Sequence, residues 1–269
     1  MTMQTDPTPY ADINKLLELL LSRIQAILGE KLIGLYLFGS LVAGDFDYES
    51  SDIDLIAATS TELDEREVAG LKMMHEDIAV KEKAWDNRIE VAYVSVEALR
   101  KYHPHYRQPL ISPGEPFHVT EVAANWVINR YILRKKGIVV YGPSPETLVD
   151  PISQDELIQA VQGTCNDWID YIALPENIRL RTSQAYAILT MCRTLYTVKH
   201  GEFVSKKQAA LWAEKQLPEW SSLIQRALLW REAWRDENVD HDATLQETLR
   251  FVHFVLSQCE NDIQQGRHG

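Results

Sequence analysis

The stretch that decides the fold is Leu35–Ile56, LYLFGSLVAGDFDYESSDIDLI. Its apolar start predicts a strand that runs into Gly39-Ser40, and its end predicts a second strand that carries Asp52 and Asp54. An irregular loop rich in glycine and acidic residues is expected between the two strands. Because successive side chains in a strand point to opposite faces, the two aspartates project from one face and the apolar residues beside them from the other. The stretch therefore predicts two carboxylates on one face of a sheet.

Two neighbouring carboxylates repel each other, and a divalent cation between them relieves that repulsion. Mg²⁺ suits such a site, because it is bound by few protein oxygens and completes its shell with water and substrate phosphates. Gly39 lets the backbone approach a phosphate closely, and Ser40 offers an N–H group and a hydroxyl. An exposed acidic hairpin without function is the alternative interpretation of an Asp-x-Asp pair alone. The glycine-serine bend before the pair, with apolar strands on both sides, favours a phosphate and metal site.

The spacing of Gly39-Ser40 and Asp52-Ile-Asp54 resembles the signature of the nucleotidyltransferase superfamily. The resemblance implies a fold of the polymerase-beta type and a third carboxylate from a later strand. Glu90, in the β-forming run RIEVAYV, stands where that carboxylate is expected. The resemblance further implies that the three carboxylates bind Mg²⁺, two ions of it, and that Glu90 accepts the proton of an attacking hydroxyl.

Length and composition indicate a soluble globular protein of one large or two ordinary domains. The chain has 269 residues, of which 45% are apolar and 25% charged, and its net charge is −12. Residues 1–12 lack the pattern of a secretory signal, and charged residues interrupt the apolar segment 13–28, so no membrane span is expected. Three separated cysteines are typical of reduced thiols in the cytoplasm. An acidic balance without a basic stripe argues against a nucleic-acid partner and favours a cationic or neutral one.

The first half of the chain has the pattern of a sheet flanked by helices. Apolar residues at spacings of three and four predict helices, and short β-forming runs predict strands. Three prolines and a glycine predict a long loop over residues 108–118, beside the cleft. The other predicted elements are helices over residues 13–28, 61–83 and 120–136, a strand through Glu90 and a last strand over residues 138–141.

A proline-rich segment, residues 142–151, predicts a domain boundary. We therefore expect two domains, residues 1–150 and residues 151–269, of which the second is helical. Its predicted helices begin at Ser153 and then cover residues 181–200, 205–215, 223–236 and 244–265. The predicted fold class is α+β, a mixed sheet with helices followed by a C-terminal α-helical bundle.

Patches of the second half resemble the streptomycin and spectinomycin adenylyltransferases, the aminoglycoside 3″/9 group. They include LTMCRTLY at residues 189–196, GEFVSK at residues 201–206 and LWAEKQLP at residues 211–218. The resemblance implies that the C-terminal helices close over ATP and form one wall of the antibiotic pocket. It also implies that Arg193 and Lys206 hold the triphosphate. On physical grounds Lys207 is an equally good candidate, because both lysines lie in the first turn of a predicted helix, where an anion is favoured.

One region departs from that group. Its members place acidic residues just before the arginine helix to bind the cationic drug, whereas the matching stretch here, NIRLRTSQ at residues 177–184, contains none. Acceptor contacts are instead expected from Asp167, Trp168, Asp170 or Glu176. The resemblance therefore supports the chemistry more strongly than the identity of the acceptor.

The expected reaction is transfer of AMP from ATP to a hydroxyl of an aminoglycoside-type antibiotic, streptomycin or spectinomycin, with release of pyrophosphate. Ser40 and Ser51 would steady phosphate oxygens, and Arg193 and Lys206 would neutralise charge on the triphosphate. Such a protein would confer resistance and would work in the cytoplasm as a monomer, with ATP, Mg²⁺ and a small cationic or polar hydroxyl-bearing antibiotic as its partners. Two alternatives stay open: an adenylyltransferase that acts on a protein or another small molecule, and a nucleotide-binding module without catalysis.

Overall fold

The computed structural model describes residues 6–49, 51–101, 103, 105–122, 125–232 and 239–266. The chain divides into two compact units. The first unit contains the chain up to Phe46 and Ser51–Pro151, and the second contains Asp47–Ser50 and Ile152–Gly269. Of the helices within the described ranges, none has the length and apolarity needed to cross a membrane.

A mixed sheet of six strands, counted over the described residues, forms the centre of the first unit. The strands are β1 (Leu32–Leu37), β2 (Ile53–Thr59), β3 (Ile89–Ser95), β4 (Arg107–Ser112), β5 (Glu115–Glu121) and β6 (Ile138–Tyr141). Their order in the sheet is β5-β4-β3-β2-β1-β6, and among these described strands only β2 and β3 pair in parallel.

The helices of the first unit lie before, between and after these strands. Apolar side chains from the two long helices pack with one face of the sheet in a single buried cluster that includes Leu17, Met74, Leu55 and Val91. Because side chains alternate along a strand, Asp54 and Glu90 lie on the other face of β2 and β3, together with the buried Ile56 and Val94. The helices are α1 (Ala11–Leu28), α2 (Gly39–Ala43), α3 (Glu65–Lys81), α4 (Val96–Arg100) and α5 (Trp126–Lys136).

The segment after Gly39 is more regular than its composition predicts. An irregular loop was expected here, but Gly39–Ala43 forms the short helix α2, and Gly44 ends it with a φ of +80°. A left-handed glycine is a common way to stop a helix, since glycine adopts positive φ without steric cost. Residues 45–49 and 51–52, the described residues between Gly44 and β2, belong to no helix or strand.

The prediction of a long loop over residues 108–118 is wrong. Strands β4 and β5 form an antiparallel hairpin there, with Ser112 paired to Glu115 across a turn at Pro113-Gly114. The helix predicted over residues 120–136 begins only at Trp126, because Thr120 and Glu121 still belong to β5. The loop was predicted because proline is unfavourable in the middle of a sheet. Pro109 and Pro116 instead lie within the hairpin strands, which are at or next to the edge of the sheet, where proline is tolerated.

The second unit is helical, and within its described residues five helices follow one another: α6 (Gln154–Ile172), α7 (Arg181–His200), α8 (Lys206–Gln216), α9 (Ser221–Glu232) and α10 (Leu245–Gly266). A capping box between Ser153 and Glu156 opens α6, as expected. The predicted bounds of α7 are confirmed, and Gly201 ends it with a φ of +64°. Residues 233–236 of the helix predicted from Leu223 lie outside the described residues. The predicted class, a mixed sheet with helices followed by a helical bundle, is confirmed.

Candidate active site

Two of the predicted carboxylates, Asp54 and Glu90, lie side by side on the sheet face opposite the helix-packed core, and the charge of the third, Asp52, acts on Glu90. Ile53 and Leu55 are fully buried in that core, and Asp54 between them projects from the opposite face, where it is partly exposed. In the parallel ladder of β2 and β3, Asp54 is the direct Cα partner of Glu90. Asp52 lies one residue before β2, close enough for its charge to raise the pKa of Glu90. The strand register therefore brings two of the predicted carboxylates together and places the third beside them.

The bend at Gly39 is packed directly against the Asp54 carboxylate. Gly39 has a φ of +70°, and a Cβ atom at this position would lie 1.8 Å from Oδ2 of Asp54. The Phe38 N–H, just before the bend, donates to the Asp54 carbonyl oxygen over 3.0 Å. Only glycine fits both the backbone conformation and the space, since any side chain would displace the carboxylate. Ser40 follows the bend as the second residue of α2 and stays partly exposed.

Glu90 lies in an environment that opposes its ionisation. Burial, and then the charges of Asp52 and Glu115, raise the pKa of Glu90 to about 7. A carboxyl group with a pKa near neutrality is a better proton acceptor than an ordinary glutamate and is still ionised in a large fraction of molecules. A cation bound beside it would favour the ionised form. The environment thus suits a general base.

Glu115 is a carboxylate of this face that sequence reasoning missed. It is the first residue of β5, paired to Ser112, and its charge acts on Glu90. Its Oε2 lies 3.4 Å from Nε2 of His118 on the same strand. The signal that could have found it is the turn former Pro113-Gly114 between two runs of β-forming residues, which marks a hairpin.

Ser51, a predicted phosphate ligand, is buried and lies directly before Asp52. Its carbonyl oxygen accepts two hydrogen bonds from Arg88, one from Nε over 3.2 Å and one from Nη2 over 2.7 Å. The guanidinium of Arg88 also lies over the ring of Trp85, 4.8 Å from its centroid. From the sequence, Arg88 is predicted only as the start of a strand, with no role for its side chain.

The two basic residues predicted to hold the triphosphate lie in the second unit. The guanidinium of Arg193 on α7 lies 4.4 Å from the ring centroid of Phe203. Nζ of Lys206, the first residue of α8, lies 3.8 Å above the ring of Tyr186. Tyr186 and Arg193 are seven residues apart on α7, so they share a helix face about 10 Å apart. Lys206 and Arg193 therefore lie along the same side of α7, whereas Lys207 is exposed.

The arginines of the stretch 177–184 bind the chain's own residues. Arg179 pairs with both carboxylate oxygens of Asp242, over 2.8 and 2.7 Å. Gln184 is fully buried, and its amide donates to the carbonyl oxygens of Arg179 and His241 over 2.8 and 2.7 Å. These contacts tie the start of α7 to the segment before α10.

The residues proposed for acceptor contacts lie at the end of α6 and just after it. Asp167, Asp170 and Glu176 are exposed there. Trp168 is partly buried and stacks on Tyr186, with a centroid separation of 6.0 Å. An aromatic surface flanked by acidic residues is thus present on the second unit.

Known proteins match the chain in both units. The family model described as the aminoglycoside adenylyltransferase C-terminal domain matches residues 147–258. An aminoglycoside (3″)(9) adenylyltransferase of Escherichia coli is 24% identical over 263 residues, which cover 92% of this chain and 95% of the relative. A spectinomycin 9-adenylyltransferase of Staphylococcus aureus is 26% identical over 208 residues, or 72% of this chain and 75% of that one.

The chain is similar to the aminoglycoside adenylyltransferases along nearly its whole length. The crystal structure of the spectinomycin adenyltransferase AAD(9) from Enterococcus faecialis, solved with ATP and spectinomycin, has the same fold. It superposes with a TM-score of 0.72 at 18% sequence identity and covers 91% of this chain and 98% of that one. The resemblance inferred from the glycine-serine bend, the paired aspartates and the patches around Arg193 is therefore confirmed. The fold that this resemblance implied is confirmed as well.

The carboxylates of this face fit a magnesium ion by donor type. Their oxygens are the hard ligands that Mg²⁺ prefers. Over the part of the chain that the structure describes, no three or more His, Cys, Asp or Glu side chains are placed to hold a metal ion by themselves. A site that uses one or two carboxylates and takes its other ligands from phosphates and water has no such requirement. The assignment of Asp52, Asp54 and Glu90 as metal ligands stays a prediction.

Proposed function

We propose that this protein transfers AMP from ATP to a hydroxyl group of streptomycin or spectinomycin, releases pyrophosphate and thereby confers resistance in the cytoplasm. The observation that carries the proposal is the register of β2 and β3, which pairs Asp54 with Glu90 beside the Gly39 bend. The similarity to aminoglycoside and spectinomycin adenylyltransferases over nearly the whole chain supports the same reaction. The first unit would act as the nucleotidyltransferase domain.

Asp52 and Asp54 are the residues that would hold Mg²⁺, with Glu90 as the further ligand. When bound, Mg²⁺ offsets negative charge on the phosphates and orients them for in-line displacement. Ser40 and Ser51 would donate to phosphate oxygens near the Gly39 bend. Arg193 and Lys206, which lie along the same side of α7, would neutralise charge on the triphosphate.

Glu90 would accept the proton of the attacking hydroxyl as that oxygen bonds to the α-phosphorus. Its raised pKa suits this role, because the carboxylate binds a proton more readily than an exposed glutamate does. The bond from the α-phosphorus to the bridging oxygen then breaks, and pyrophosphate leaves. The base must reach the acceptor hydroxyl within hydrogen-bond distance, so Glu90 also sets where that hydroxyl lies.

A second candidate is an adenylyltransferase for a less cationic small molecule or for a protein. The observation that favours it is the stretch 177–184, which carries Arg179 and Arg181 and no acidic residue. A polycationic drug would not gain ion pairs from this stretch. The exposed Asp167, Asp170 and Glu176 on the same unit favour the cationic drug instead.

The test is a measurement of pyrophosphate release and AMP transfer with ATP, Mg²⁺ and either streptomycin or spectinomycin, beside the Glu90→Gln variant. We expect an adenylylated drug from the wild type and none from the variant. Magnesium-dependent ATP binding without modification of either drug would refute the antibiotic acceptor and favour the second candidate. Absence of ATP binding would refute the adenylyltransferase function altogether.

A further inference from the structure

Asp52 lies outside the regular strand, so the β ladder does not hold it. Strand β2 begins at Ile53, and Ser51 and Asp52 precede it without regular structure. Asp54, by contrast, lies inside β2 and is paired with Glu90. Mg²⁺ binds its ligands with strict geometry, so a carboxylate ligand outside a strand needs contacts other than the ladder to fix its backbone.

One residue, Arg88, binds the peptide groups on both sides of Asp52. Its side chain donates from Nε and Nη2 to the Ser51 carbonyl oxygen, over 3.2 and 2.7 Å. Its own carbonyl oxygen accepts from the Ile53 N–H over 2.8 Å. The first contact fixes the peptide plane that leads into Asp52, and the second fixes the plane that follows it. The backbone of Asp52 is thereby held from both sides.

The guanidinium itself is held in place. It lies over the ring of Trp85, 4.8 Å from the centroid, and Trp85 is buried. The Arg88 N–H donates to the Trp85 carbonyl oxygen over 3.1 Å, which closes the turn between them. The planar fork of arginine suits this arrangement, because it donates two hydrogen bonds to one oxygen while its face stacks on an aromatic ring. Lysine has the charge without the fork.

We propose that Arg88 is the positioning residue that sets the Asp52 carboxylate for a divalent cation. The inference rests on the proposed function, in which Asp52 binds Mg²⁺ with ATP. Arg88 acts through the Ser51 and Ile53 peptides and has no contact with the reacting atoms in this role. Loss of its side chain should therefore weaken the hold on Mg²⁺ more than it changes the fold or the nucleotide contacts made elsewhere.

The test measures ATP binding by calorimetry at increasing Mg²⁺ concentrations for the wild type, Arg88→Met and Arg88→Lys. Arg66→Met is the matched control, since Arg66 is an exposed arginine of the same unit on α3. We expect the half-saturating Mg²⁺ concentration to rise about tenfold in Arg88→Met, as for other residues that orient a metal ligand. It should rise less in Arg88→Lys and stay unchanged in Arg66→Met. Excess Mg²⁺ should restore wild-type ATP binding, which a merely structural defect would not allow.

A half-saturating Mg²⁺ concentration in Arg88→Met equal to that of the wild type would overturn the inference and leave the proposed function standing. So would a loss of ATP binding that excess Mg²⁺ does not restore. If Arg88→Met does not fold by circular dichroism, Arg88→Lys decides by the same two criteria. A wild-type chain whose ATP binding does not depend on Mg²⁺ would overturn the metal role of Asp52 and this inference together.

Discussion

Replacement of Gly39 by alanine tests the contact between the bend and the Asp54 carboxylate. The new Cβ would lie 1.8 Å from Oδ2 of Asp54, whereas Cβ contacts in proteins essentially never fall below 3.0 Å, so the two atoms must move apart by about 1.2 Å. The positive φ of an alanine costs about 1–2 kcal/mol. An Asp54 side chain forced off its rotamer costs about 1 kcal/mol more. We therefore expect Gly39→Ala to lose about 2–3 kcal/mol of stability.

The effect on turnover should exceed the effect on stability. A displacement of about 1 Å at a group that positions the reacting atoms costs about 100-fold in rate. The assays are urea unfolding followed by circular dichroism and steady-state release of pyrophosphate. We expect a folded variant with turnover reduced about 100-fold.

Gly44→Ala is the matched control for Gly39→Ala. Gly44 has a φ of +80°, close to that of Gly39, but no atom of the described residues lies within 4 Å of the position of its Cβ. This variant should carry only the backbone cost of about 1–2 kcal/mol and keep nearly normal turnover. The reasoning is refuted if Gly39→Ala turns over as fast as Gly44→Ala, because the Asp54 contact would then have no effect on catalysis.

Three further predictions concern other parts of the structure. Glu90→Gln should abolish turnover. In EDTA at pH 8 it should also raise the free energy of unfolding by up to about 3 kcal/mol, because the Glu90 pKa of about 7, against an ordinary 4.5, makes native stability fall as pH rises from 4.5 to 7. Equal free energies of unfolding for the wild type and the variant at pH 8 would contradict this prediction. Burial lowers the pKa of His75, which shares a 2.7 Å hydrogen bond with Tyr93, to about 4. Between pH 6.5 and pH 4 the contribution of His75 should therefore lower the free energy of unfolding by up to about 3 kcal/mol, since the unfolded chain binds the proton more tightly. Glu90 contributes with the opposite sign in this range, so the measurement is the difference between the wild type and His75→Phe in urea unfolding at each pH. This difference should change by that amount, and a constant difference would contradict the prediction. Lys206→Met should weaken ATP binding about tenfold in calorimetry, the effect of one lost charged hydrogen bond. Lys207→Met should leave the affinity for ATP unchanged. A larger loss of affinity in Lys207→Met than in Lys206→Met would assign the triphosphate contact to Lys207.

Local patterns in the sequence determined most of the elements. Some features depend only on neighbours within one or two helical turns, so they can be predicted from local sequence. Examples are the apolar spacing of α1, the capping box before α6 and the glycine after α7. The alternation around Asp52 and Asp54 likewise predicted both carboxylates on one face. The resemblance carried by the bend and by the patch around Arg193 supplied the family.

Other features depend on contacts between distant segments, and a pattern within one segment cannot specify them. The hairpin of β4 and β5 was predicted as a loop because its prolines are unfavourable in the middle of a sheet, and only its place near the sheet edge makes them tolerable. The hairpin is also what brings Glu115 close enough for its charge to act on Glu90.

The sequence alone predicted that Asp52 and Asp54 share one face, because a period of two along a strand is a local property. Only the tertiary structure decided what surrounds them: the pairing of Asp54 with Glu90, the closeness of Gly39 to Asp54, and the hold of Arg88 on both sides of Asp52. The physical reason is that strand register and side-chain packing join residues tens of positions apart. Their partners are chosen when the sheet assembles and its core is buried.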